Sequence, residues 1–170
     1  MHNLWFASDH HLFHKNILTF QDKKGLYYRG GLFDCIDDMN EIIVQRHNEF
    51  VKPNDKVYFV GDVTWKNTSA FAEIIKRMNG KKRLILGNHD DAKYLAQFFE
   101  KILLWRVMRE HNFSITHIPL REDSMKTDFN VHGHIHHNDS PTARHINVCM
   151  EKTGYKPLHV DEIRAITMRA

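Results

Sequence analysis

The chain predicts an α/β fold with a mixed sheet or two packed sheets, on three observations. Short apolar runs of strand type alternate with stretches of helical periodicity through the first hundred residues. Beyond them the pattern changes to strands with little helix between. Each predicted strand also stops at a cluster of Asp, His, Asn or Gly. Asn3 to Ala7 is the first buried strand, ending at Ser8 and Asp9. Residues 21–31, QDKKGLYYRGG, form a basic, aromatic loop, and both cysteines, Cys35 and Cys149, are expected to be buried thiols. From Asp34 as N-cap, Ile36, Met39, Ile42, Ile43 and Phe50 recur at helical spacing. Pro53, Asn54 and Asp55 turn the chain into the strand KVYFVG, which stops at Gly61 and Asp62. Thr68 or Ser69 caps a second helix with Phe71, Ile74, Ile75 and Met78 on its inner face. The strand RLIL at 83–86 runs into Gly87, Asn88, His89 and Asp90. A short helix over 92–99 then precedes strands at Ile102–Met108, Phe113–Thr116, Phe129–His132 and Ile146–Met150, and a last helix spans roughly 161–168.

At 170 residues, with no repeat, low-complexity tract or polar linker, the chain reads as one domain over 1–170. Two cysteines make no disulfide framework. No apolar run approaches the roughly 20 residues that cross a bilayer. Met1 to Phe6 meets charged and His-rich residues too soon for a secretory signal, so a cytoplasmic location is expected. A net charge of +3 is too mild to argue for nucleic acid. Histidine is the anomaly, with 14 residues, four of them between positions 132 and 137.

In open α/β sheets, ligands bind beyond the carboxyl ends of the strands, where these polar clusters would converge. Asp9, His11, Asp62, Asn88, His117, His134 and His136 offer nitrogen and oxygen donors without a thiolate. Seven ligands exceed the needs of one ion and suit two cations about 3.5 to 4 Å apart that share a carboxylate. His134 and His136 alternate at the strand period, so a continued strand would point both the same way. Imidazole ligands disfavour Mg²⁺ alone; Mn²⁺ is the expected ion, with Fe²⁺, Zn²⁺ or Ni²⁺ as alternatives. In the basic loop, Arg29 is the expected substrate contact.

DHH at 9–11, GD at 61–62, GNHD at 87–90, THIP at 116–119 and HGHIH at 132–136 resemble the five blocks of the calcineurin-like metallophosphoesterase superfamily, over almost the whole chain. The match is closest to its small single-domain members, and the tail INVCMEKTGYKPLHVDEI resembles their ending. The resemblance implies a two-sheet β-sandwich flanked by helices, with a dinuclear centre at its edge. One ion would take Asp9, His11 and His136, the other Asn88, His117 and His134, with Asp62 bridging and His89 catalytic. Asp90 would orient His89 or cap the following helix, and His14 would support the ligands from behind. Trp65 stands where purple acid phosphatases place a metal-binding Tyr, and GDVTW lacks the Arg-containing extension of the serine/threonine protein phosphatases. The expected activity is hydrolysis of a small, nucleotide-like phosphodiester by a hydroxide shared between the two ions. The rivals are an inactive metal-binding scaffold and a nuclease acting on single strands. The expected partner is therefore a small phosphoester, with neither membrane nor oligomeric state indicated.

Overall fold

A computed structural model describes residues 3–168. Among these residues, nine strands form two sheets. The first contains β1 (Leu4–Ala7), β2 (Lys56–Phe59), β3 (Lys81–Ile85), β4 (Lys101–Leu103) and β9 (Leu158–His159), in the order β4-β3-β2-β1-β9. The second contains β5 (Trp105–Met108), β6 (Phe113–Thr116), β7 (Phe129–His132) and β8 (His145–Asn147), in sequence order. Strands β1 to β4 are parallel, β9 is antiparallel to β1, and β6, β7 and β8 are mutually parallel. This is the α/β architecture of two mixed sheets flanked by helices that the metallophosphoesterase resemblance implies.

The first sheet is buried on both faces, and its alternation shows why. Trp5, Ala7, Val57, Phe59 and Leu84 join a core with Met39, Ile43 and Val44 of α1 (Ile36–Phe50) and Phe71 and Ile75 of α2 (Ser69–Arg77). Their neighbours Phe6, Tyr58 and Ile85 face the other way, onto Phe113, Ile115, Val131 and Ile146 of the second sheet and Val160 and Ile163 of α5 (Val160–Thr167). Fully burying each such side chain stabilises the fold by roughly 1.5–3 kcal/mol.

Several expectations need correction. Cys35, not Asp34, caps α1: its sulfur accepts from the Asp38 amide, and the residue is exposed rather than buried. The single strand expected over 102–108 is two strands in different sheets, separated at Leu104, which is 72% exposed. The strand expected at 146–150 ends at Asn147, and Met150 opens α4 (Met150–Thr153) instead. The third helix, α3 (Ala92–Leu95), is capped by Asp91, whose side chain accepts from the Tyr94 amide.

Candidate metal centre

Parallel order puts the carboxyl ends of β1, β2 and β3 at one edge, and those of β6 and β7 at the corresponding edge of the other sheet. The residues following all five strands meet there. The backbone that presents them is unusual: Asp9, His11, Asp62, His134 and His136 all have positive φ, from 47° to 71°. Non-glycine residues rarely adopt this conformation, and it collects at functional sites, where the fold offsets its cost. Two glycines permit the close approach. A Cβ at Gly87 would strike the Asp62 carboxylate, and one at Gly133 would strike Ser8 and Asp9.

One cluster gathers Asp9, His11 and His136, with one donor atom from each lying within 4.8 Å of the others. Asp9 Oδ1 stands 3.7 Å from His11 Nε2 and 3.6 Å from His136 Nε2, too far for hydrogen bonds. Its other oxygen accepts from Ser8 Oγ (2.6 Å), the His134 amide (2.9 Å) and Cys149 Sγ (3.0 Å). That grip turns Oδ1, buried and without a hydrogen-bond partner, toward the histidines. Burial works to raise the Asp9 carboxyl, but His11, His117 and His136 outweigh it and hold it well below the usual carboxylate range.

The second cluster gathers Asp62, His117 and His134 within the same 4.8 Å limit. His117 Nδ1 donates to the Val60 carbonyl (2.8 Å), which turns Nε2 toward Asp62 Oδ2 at 3.4 Å. Burial alone would depress His117, but Asp62 and Asp9 outweigh it and push the ring up to about 9. Asn88 Oδ1 lies between the rings, accepting from His117 Nε2 (3.1 Å) and His134 Nδ1 (3.0 Å). Asp62 reaches both clusters, since Oδ2 is also 3.6 Å from His11 Nε2. His89 is exposed at the rim. Its amide donates to Asp62 Oδ1 (3.0 Å), and its ring Nε2 is 4.0 Å from Asp62 Oδ2.

The profile of the calcineurin-like phosphoesterases matches residues 2–168. The chain belongs to that family. Among its relatives is the uncharacterized protein MJ1445 of Methanocaldococcus jannaschii, 30% identical over 96% of this chain and 90% of its own length. The gene 66 protein of Mycobacterium phage L5 is 29% identical over 53% of this chain and 41% of its own. Among solved structures, the protein of unknown function AQ665 from Aquifex aeolicus superposes with a TM-score of 0.75 over 98% of this chain and all of its own, at 24% identity, and so shares the fold. Membership makes the chain a metal-dependent phosphoesterase, a hydrolase.

The residues at the strand ends fit divalent cations. Their donors are imidazole nitrogens and carboxylate or amide oxygens. Asp9 Oδ1 and both ring nitrogens of His11 are buried without hydrogen-bond partners, an expensive state that a bound cation would relieve. His134 and His136 do not point the same way, because β7 stops at His132 and the following turn sends them to separate clusters.

Arg29 is not a substrate contact. Its side chain is fully buried, with Nε on Glu151 Oε1 (2.7 Å), Nη1 on the His10 carbonyl (3.0 Å) and Nη2 on the Asp9 carbonyl (2.5 Å). It braces the turn that carries Asp9. Asp90 neither orients the His89 ring nor caps α3; its carboxylate accepts from the amides of Asp62 (3.0 Å), Val63 (2.9 Å) and Gly87 (2.9 Å), tying two strand-end loops together. His14 stacks on Trp65 with ring centres 3.9 Å apart, and burial pushes it down to about 4. Glu151 went unnoticed in the sequence. Its Oε1 also meets His136 Nδ1 (2.9 Å), and although burial would raise its carboxyl, Arg29 and then His136 hold it down to about 2. An acid beside the apolar run INVCM was the available signal.

Among the described residues, no helix is long and apolar enough to cross a membrane.

Proposed function

We propose that the protein hydrolyses a phosphodiester of a small, nucleotide-like molecule using two divalent cations, manganese foremost. Asp9, His11 and His136 would hold one, and Asn88, His117 and His134 the other, with Asp62 shared. The single observation that carries this reading is the position of Asp62 Oδ2, 3.6 Å from His11 Nε2 and 3.4 Å from His117 Nε2, within reach of both donor sets. When bound, such a pair supplies an acidified water and positive charge for the phosphoryl oxygens.

The chain's own groups do the rest. Glu151 and the Val60 carbonyl each take the outer Nδ1–H of a histidine, so His136 and His117 present Nε2 inward. The His89 amide fixes the rotation of Asp62, and the His89 ring, exposed over the centre, delivers a proton to the departing alkoxide. Asp90 keeps the loops of Asp62 and His89 in one register. Stored geometry of this kind lowers the reorganisation needed when charge develops on the phosphoryl group.

The test is a matrix of metals and substrates on stripped protein, comparing Mn²⁺, Fe²⁺, Zn²⁺ and Ni²⁺ against monoesters, diesters, cyclic nucleotides and short oligonucleotides. Manganese-loaded protein is expected to cleave a small diester faster than the matching monoester. Absence of turnover with every ion would overturn the proposal in favour of a binding protein. Preferential, salt-sensitive cleavage of oligonucleotides would overturn the small-substrate reading.

A further inference from the structure

We propose that the aromatic cleft beside His89 receives an uncharged planar ring, of nucleobase size, carried on one arm of the ester; the proposal rests on the phosphoesterase reading above. The cleft has a volume of about 310 Å³, and His11, His89 and His136 are among the residues that line it, so it adjoins the candidate metal centre and can hold one arm of an ester placed there. Trp65 and Phe20 line it while 44% and 43% exposed. Large aromatic side chains left open beside a polar centre mark a ligand surface.

The wall is built before any ligand arrives. His14 stacks on Trp65 at an interplanar angle of 13°, and Phe20 meets His14 edge-on at 5.5 Å. A ring laid against such a fixed surface costs little side-chain ordering. The lining also limits the ligand's charge. Among the described residues no Lys or Arg lines the cleft, so a second phosphate or the next phosphate of a strand would find no counter-charge from them there. Asn16 and Tyr28, also in the lining, have no side-chain hydrogen bond among the described residues, which leaves an amide and a hydroxyl for the polar edge of a heterocycle.

The test uses two diesters with the same departing oxygen: thymidine 5′-methyl phosphate and its counterpart lacking the base. With manganese-loaded protein, kcat/KM is expected to favour the base-bearing ester by about 10- to 100-fold, the usual scale of base stacking on an aromatic side chain. Trp65→Ala should bring that ratio toward unity. Leu104→Ala, on the hollow at the opposite flank, should preserve it. A ratio near unity in the parent protein, or one that survives Trp65→Ala, overturns the ring site while leaving the phosphoesterase reading intact. If neither ester is cleaved with any ion, that reading fails first, and saturation-transfer NMR of thymidine with metal-free protein still decides the cleft. Transfer to the base protons that Trp65→Ala abolishes supports the site, and no transfer overturns it.

Discussion

The two halves of the candidate metal centre are built from different materials. Around Asp9, the support is mostly a buried set of side chains: Ser8 and Cys149 on the carboxylate beside the His134 amide, Arg29 on the Asp9 carbonyl, and Glu151 joining Arg29 to His136. Around Asp62, the support is mostly backbone: the Val60 carbonyl on His117, the His89 amide on Asp62, and three amides on Asp90. Exposure does not follow the same division. Asp9, His11, Asp62 and His117 are all buried, His134 and His136 are half-buried at the mouth, and Asn88 is exposed. A half whose ligands are oriented by buried charges depends on each partner being present. A half oriented by turns of backbone depends on the loops keeping their register.

The largest effect should come from the residue common to both halves. Asp62→Asn should weaken loading of both ions by well over the roughly 10²-fold that loss of an outer partner costs, and should abolish most turnover. Metal content after reloading, read by atomic emission, checks this; loss of one ion alone would show that Asp62 belongs to one half. His89→Ala should keep its metal content while losing about 10²- to 10⁴-fold in turnover.

Smaller effects separate the halves. Glu151→Gln leaves Arg29 buried without its counter-charge and removes the anion behind His136, so metal affinity at the Asp9 half should fall about 10- to 100-fold while the other half keeps its own. Calorimetric titration should then show a wider separation of two binding steps. Asp90→Asn should act on the opposite half, because an amide cannot accept from three N–H groups as a carboxylate does. If both variants weakened the same step, the division into a charge-supported and a backbone-supported half would be wrong.

The smallest effect lies outside both halves. His47 is buried in α1, its Nε2 donating to the Asn79 carbonyl at 2.9 Å, and burial pushes its pKa down from 6.5 to about 4. Between those values the unfolded chain binds a proton that the folded chain refuses. This contribution to stability is therefore complete above pH 6.5 and is lost as pH falls toward 4. His47→Gln should flatten the fall in melting temperature over that window by a few degrees, on the usual scale of about 4 °C or less per kcal/mol at this size.

Much of the centre was legible before folding was considered. Short apolar runs ending in DHH, GD, GNHD, THIP and HGHIH announce strand ends loaded with candidate ligands, because a strand's side chains alternate and its end must turn. Arg29 was misread because a guanidinium in a basic loop carries no local sign that three of its donors will be buried. Glu151 was missed for the same reason, since its partners lie 122 and 15 residues away in the chain. The break at Leu104 was also hidden: the apolar pattern continues through it, while the chain crosses from one sheet to the other.

By itself, then, the order of residues determined the α/β class, the five clusters of candidate ligands and the chemistry of their donors, because these depend on local periodicity and residue type. The three-dimensional fold alone decided which histidine faces which carboxylate, and that Arg29 and Glu151 brace the centre from within. It also decided that Trp65 and Phe20 open a cleft beside His89. Those outcomes depend on contacts between distant segments and on turns held at positive φ, for which the sequence carries no local mark.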